Sequence, residues 1–239
     1  MRLAVWSGPR NLSTALMYSF GARADCTVWD EPFYAPYLAA TGIDHPMAAE
    51  VLANHDVDPA SVAERCAAPA PTALIYQKHM AHHLLPEFPT EWMAACTHVL
   101  LLRHPARVLA SYHERRHDPV LADIGAADLE RVAVLVERAT GRPPVIIDSA
   151  DIRRAPAPAL SALCAAVGLV YDPAMLTWPK GGNAADGVWA AHWYAAVHAS
   201  TGFAPAEGPL PPLPDRLTDV LVEALPHYEA LHARALRID

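Results

Sequence analysis

The sequence predicts an α/β fold, with a parallel β-sheet flanked by helices on both faces. Three observations carry this. Five short runs are nearly continuous in apolar residues: 3–7 (LAVWS), 26–31 (CTVWDE), 72–77 (TALIYQ), 98–103 (HVLLLR) and 144–148 (PVIID). Runs of this kind suit strands covered on both faces. Helical patterns alternate with them, as in βαβ units. Polar and basic residues gather immediately after the runs, where parallel sheets place their ligands.

The elements follow in order. After the first run, Ser7-Gly8-Pro9 breaks the apolar pattern and a helix is expected over 11–21. Further helices are expected at roughly 46–66, 88–95, 105–116, 125–141 and 156–167. Pro105 suits a first helical position. Pro156 and Pro158 open the helix that Gly168 closes in the manner of a C-cap. The stretch 172–187 is loop-like, a helix is expected over 187–199, and 205–215 (PAEGPLPPLPD) is a proline-rich connector before a closing helix at 215–236. No internal repeat is present. The whole chain, 1–239, reads as one domain, with 172–239 a mobile or lid-like C-terminal segment.

The chain has 239 residues, enough for one domain that buries about 70% of its unfolded surface, and is 53% hydrophobic and 18% charged. This composition is globular rather than disordered. A net charge of −8 makes general nucleic-acid binding a poor fit. Cys26, Cys66, Cys96 and Cys164 contain no Cys-x-x-Cys pair. They read as buried free thiols, and a reducing cytoplasm is the expected compartment. Four apolar residues between Arg2 and Ser7 are too few for a signal-peptide core. No apolar window is long enough for a membrane span.

The residues beyond each run carry the chemistry. After the first lie Arg10, Asn11, Leu12, Ser13 and Thr14. Backbone N–H groups at a helix start, two hydroxyls and a guanidinium suit an anionic oxygen. Asn11 or Ser13 acting as an ordinary N-cap is the alternative. The Gly-x-x-x-x-Gly-Lys-Ser/Thr loop of ATP- and GTP-using enzymes is absent. After the fourth run, Arg103 and Ser111 could close on one phosphate from two sides, or serve as a surface arginine and a packed serine. After the third come Lys78, His79, His82 and His83. Histidine suits a general base at neutral pH, and His79 is favoured by position with His82 next. If the strand continues through His79, that side chain and Lys78 face opposite ways. Glu31, after the second run, could be a second base, an acceptor-orienting group or a cap of the following turn.

Two motifs together resemble the sulfotransferase family, which uses 3′-phosphoadenosine 5′-phosphosulfate (PAPS). "PRNLST" (9–14) is similar to its first loop, with Arg10 in the lysine position and Ser13-Thr14 as the hydroxyl pair. "RHPARVLAS" (103–111) is similar to its Arg-Asn-Pro-x-x-x-x-x-Ser motif. "KGGNAADGVW" (180–189) echoes its third motif loosely, and "EPF" (31–33) looks like a segment of bacterial members. Leu12 replaces the loop glycine, His104 replaces asparagine, and Asp186-Gly187 reverses the family's order.

The resemblance implies a P-loop-like three-layer α/β/α fold and a PAPS-dependent transferase that needs no metal. A sulfuryl group carries less charge than a terminal phosphoryl group. Positioning and positive charge then supply the catalysis of an in-line transfer. The first loop would hold the 5′-phosphosulfate, and Arg103 and Ser111 the 3′-phosphate, with Lys180 reaching it from the late loop. Lys78, His79 or His82 and Arg10 would be catalytic, while Glu31, Phe33 and Trp189 would face a small-molecule acceptor. For Trp189, as for Trp178 and Trp193, core packing is the alternative. A metal-dependent small-molecule kinase and a non-catalytic nucleotide-binding module are the other two readings.

Overall fold

A computed structural model describes residues 1–113 and 119–238. Five strands, β1 (Arg2–Ser7), β2 (Cys26–Asp30), β3 (Leu74–Met80), β4 (Thr97–Leu102) and β5 (Val145–Asp148), form one sheet in the order β2-β3-β1-β4-β5. Every pairing is parallel. The expected α/β architecture is therefore the one observed. β1 lies in the middle, so its carboxyl end opens between those of β3 and β4.

Side chains alternate across β1 and build two cores. Leu3 and Val5 point to one face, where Leu16, Met17, Phe20, Leu160 and Leu163 cover them. Ala4 and Trp6 point to the other, under Val62, Trp92, Leu129 and Val132. Each fully buried aliphatic side chain here contributes about 1.5–3 kcal/mol relative to exposure. No described helix is long and apolar enough to cross a membrane.

The elements depart from the sequence expectations where a local signal competes. The helix expected over 46–66 is two, Ala48–Asn54 and Pro59–Ala67. Asp58 caps the second by accepting from the Ala60 N–H at 3.0 Å, and Pro59 fits its first turn. Tyr34–Thr41 is an additional helix; Pro36 sits in its first turn, where no N–H is needed. The 88–95 element is a short 3₁₀ turn, Glu91–Ala95, and the 187–199 helix is two short ones, Ala190–Trp193 and Ala195–His198. The helix expected over 105–116 is described as Pro105–His113, and 114–116 lie outside the described residues. β3 runs three residues further than expected, to Met80.

In the late segment, Met175, Trp178, Trp189, Ala190, Tyr194 and Val197 are buried in the first core. The connector differs. Among the described residues, no backbone–backbone hydrogen bond begins or ends within 203–213.

Candidate active site

Beyond β1 the chain turns sharply. A Cβ at Gly8 would stand 2.5 Å from the Ile124 carbonyl oxygen, so close backbone approach demands glycine there. Arg10 (φ 63°) and Leu12 (φ 72°) then take the left-handed conformation. Leu12 thus adopts the backbone geometry that glycine favours, and its side chain packs on the first core. Asn11 pins the loop by donating from Nδ2 to the Leu101 carbonyl at 3.2 Å. The helix Ser13–Gly21 begins with no side-chain cap. Neither Asn11 nor Ser13 plays the N-cap role considered above, so the first-turn N–H groups are left for an acceptor from elsewhere.

The two arginines of the sequence motifs interlock. Arg10 Nε donates to Ser111 Oγ at 2.9 Å, and Arg103 Nη1 donates to the Arg10 carbonyl at 2.7 Å. Arg103 Nη2 also donates to Glu207 at 2.5 Å.

Lys78 lies on the same side of the sheet as Val5 and Asp30, its register neighbours. Its ammonium donates to Asp30 Oδ1 at 3.0 Å, to Glu31 Oε1 and to the Tyr194 hydroxyl at 2.8 Å. The Tyr194 hydroxyl stands 2.9 and 2.8 Å from the two Asp30 oxygens and accepts from Trp189 Nε1 at 3.1 Å. Burial, then the neighbouring Glu31 charge, pushes the Asp30 carboxyl up to about 6 despite Lys78. Burial works to lower the Lys78 ammonium, but the two carboxylates outweigh it and hold it above the ordinary lysine value. Glu31 is itself left-handed, with φ 39°.

The histidines divide by strand alternation. His79 pairs in register with Trp6 and faces the second core. Its ring stacks on Trp6 with centroids 4.4 Å apart, and Nε2 meets Gln77 Oε1 at 3.2 Å. Burial drives its pKa far below the ordinary range. The favoured base is therefore in the wrong layer. His82 and His83, just past β3, line the cavity. His83 stacks on Tyr34 at 4.6 Å and on Tyr37 at 4.9 Å, and its Nδ1 stands 3.7 Å from Glu31 Oε2. Burial keeps His82 and His83 below the ordinary histidine pKa, hence neutral near pH 7.

A cavity of about 400 Å³ joins these groups, bordered by Arg10 to Thr14, Glu31, Lys78, His82, His83 and Arg103. Ser111 stands behind Arg10. Trp193 borders the cavity as one of the late-segment tryptophans considered, and Tyr34, Tyr112 and Tyr194, which the sequence reading did not single out, complete an aromatic lining. Besides His79 and Ser111, three expected residues lie outside the lining. Phe33 packs against Phe88, Trp92 and His79 in the second core. Trp189 is buried beneath Tyr194. Lys180 is exposed and away from the cavity. The rest of its motif is structural: Asp186 accepts from Tyr18 at 2.6 Å and from the Asn183 N–H at 3.0 Å.

The Sulfotransferase domain matches residues 1–235. The chain belongs to the sulfotransferase family. Two curated Arabidopsis thaliana proteins, branched-chain-amino-acid aminotransferase-like proteins 1 and 2, are 36% and 35% identical over 95% of this chain. The chain spans only 41% and 40% of their lengths. Among solved structures, the sulfotransferase domain of the Synechococcus PCC 7002 olefin synthase superposes with a TM-score of 0.52 at 15% identity, covering 98% of this chain and 95% of that one. A sulfotransferase from Alicyclobacillus acidocaldarius gives 0.52 at 14% identity, covering 98% and 96%. These likenesses establish the shared fold.

The family implies PAPS, and the residues of this chain fit it. The helix start lacks a side-chain cap, and Arg10 and the Ser13 and Thr14 hydroxyls stand at its mouth. Such a donor-rich turn suits a phosphosulfate.

Proposed function

We propose that this chain transfers a sulfuryl group from PAPS to a hydroxyl or amine of a small molecule. The observation that carries the reading is the shared cavity. The left-handed loop and Arg103 border the same space as Glu31, His82 and His83. PAPS would supply the sulfuryl group and leave as 3′-phosphoadenosine 5′-phosphate (PAP).

This chain's residues do the rest. Arg10, the Ser13 and Thr14 hydroxyls and the first N–H groups of the helix hold the phosphosulfate. Arg103 and Ser111 hold the 3′-phosphate. An imidazole nitrogen of His83 takes the acceptor's proton, with Glu31 beside the ring to steady the cation that forms. Lys78 fixes Glu31 in place. The aromatic lining favours an acceptor with an apolar or aromatic body.

Thermal stabilisation by PAP tests the reading, with AMP and ATP-magnesium alongside. A ligand at about 100 times its Kd adds roughly 2.7 kcal/mol, or about 5–10 °C for a chain of this size. A shift with PAP and none with AMP is expected. Arg103→Ala should abolish most of it, weakening PAP by about 10–100-fold, the scale of lost charge-assisted hydrogen bonds. A shift only with ATP-magnesium would replace this reading by the kinase one. PAP binding without turnover on any acceptor would leave a binding module.

A further inference from the structure

The strongest unexplained feature is a carboxylate inside an arginine cluster. Glu207 belongs to the connector, whose residues 203–214 include five prolines and no other acid. Its Oε1 accepts from Arg103 at 2.5 Å and from Arg153 at 2.6 Å, and its Oε2 lies 3.2 Å from Arg107 Nε. The neighbouring backbone continues the pattern. The Pro205 carbonyl accepts from Arg153 at 2.9 Å, and the Gly208 carbonyl accepts from Arg107. Residues 205–208 therefore present acceptors to three guanidiniums, one just past β4, one on the helix Pro105–His113 and one on the helix Ser149–Arg154.

The fit is incomplete. The Glu207 side chain is 5% exposed, yet its Oε2 has no hydrogen bond aligned to it, although Arg107 is ion-paired at that distance. Three cations face one monoanion, and one of its two oxygens is poorly used. A phosphate monoester has three oxygens and close to two charges at neutral pH, and forks of guanidinium match it bidentately. Arg103 and Ala204 both border the cavity, whereas Arg107 and Arg153, held by the connector's residues 205–208, do not. Proline removes backbone donors, and the connector has no described backbone–backbone hydrogen bond to hold it.

We propose that Arg103, Arg107 and Arg153 form a phosphate site that Glu207 occupies as an internal substitute, and that a phosphate monoester binds by displacing Glu207 and lifting the 205–208 strap. The proposal rests on the PAPS reading for the identity of that monoester, the nucleotide 3′-phosphate. Arg107 and Arg153 thereby become phosphate ligands, and binding of the nucleotide is coupled to release of the connector.

Calorimetry on wild-type and Glu207→Gln protein, with PAP, AMP and inorganic pyrophosphate as probes, tests it. Removing the resident charge should tighten PAP about tenfold, the scale of one charge-assisted hydrogen bond, and leave AMP unchanged. On wild-type protein, PAP should make the Glu207–Gly208 bond cleavable by a glutamate-specific protease, with the cut mapped by mass spectrometry. PAP affinity in Glu207→Gln equal to or weaker than wild type, or cleavage that PAP does not increase, overturns the plug. If PAP binds neither protein while pyrophosphate binds Glu207→Gln more tightly, the plug stands and the PAPS reading falls. If no probe binds either protein, both fall.

Discussion

The two ends of the cavity balance their charges in opposite senses. At the loop end, Arg103, Arg107 and Arg153 share the single carboxylate of Glu207. At the far end, the single ammonium of Lys78 is shared by Asp30 and Glu31. One end is short of negative charge and the other of positive charge. A buried charge without its match is costly, so the sense of each imbalance indicates the charge of what binds. An anion belongs beside the arginines. A proton, or the positive charge forming on a base, belongs beside the carboxylates. The difference supports the proposed division, with the anionic cofactor beside the arginines and the acceptor's proton beside the carboxylates.

Breaking the balance at the far end should have the largest effect. Lys78→Met keeps the volume but leaves two carboxylates facing each other in the sheet's interior. Loss of one partner from a buried pair costs about 3–5 kcal/mol, or roughly 6–20 °C in midpoint for a chain of this length. Arg107→Ala at the loop end leaves two arginines for Glu207 and should cost much less. Thermal melts of the two variants compare the ends directly. Equal losses would mean that the two ends are not differently balanced.

Residue alternation supplies the next contrast. His83→Gln should lower kcat by about 10²–10⁴, the usual contribution of a general base, with PAP affinity unchanged. His79→Gln should leave kcat within a few-fold and instead lower stability, because its ring stacks on Trp6 and packs against Trp92. The opposite pattern in the two kcat values would return the base to His79 and remove the acceptor end from where Glu31 and His83 define it. Retention of kcat by both variants would transfer the role to His82.

The histidines also show what was legible in the sequence. The apolar runs and their order were enough for the parallel sheet, and Arg10 to Thr14, Glu31, Lys78, His82 and Arg103 all border one cavity. The choice between Lys78 and His79 was not legible. It depended on β3 continuing to Met80, and the polar pair Lys78-His79 looked like a strand end. Those residues are polar inside the sheet because Lys78 meets Asp30 and Glu31 and His79 stacks on Trp6. Leu12 misled in another way, since a leucine can be held left-handed when its side chain has a core to pack on. Glu207 could be seen as a lone acid among prolines, but its three partners come from residues 103, 107 and 153. No local pattern pairs them.

The smallest effect separates the ends by pH. Arginines do not titrate in the working range, so stability should respond through the histidines and the Asp30 cluster. His79, His82, His83 and His98 all have pKa values lowered first by burial. Below about pH 6.5 the unfolded chain binds protons that the folded chain refuses, so these groups withdraw stability as pH falls. Asp30, raised to about 6, acts in the other direction. Between its unfolded value near 4 and its folded value, the folded chain holds the extra proton, so acid favours folding at that one group, and Asp148, raised chiefly by burial, adds to it. These four histidines, with His55 and His104 also lowered by burial, oppose two carboxylates, and the histidine shifts begin at higher pH. The midpoint should therefore fall from pH 7 to pH 5, with a slope of at least about 1.4 kcal/mol per pH unit, the contribution of one fully titrating group. His79→Phe keeps an aromatic ring in the stack and removes one of the four, so it should flatten that slope while leaving the melt at pH 8 nearly unchanged. An unchanged slope would mean that His79 does not hold its neutral form against acid, and the burial that excludes it from catalysis would have to be abandoned with it.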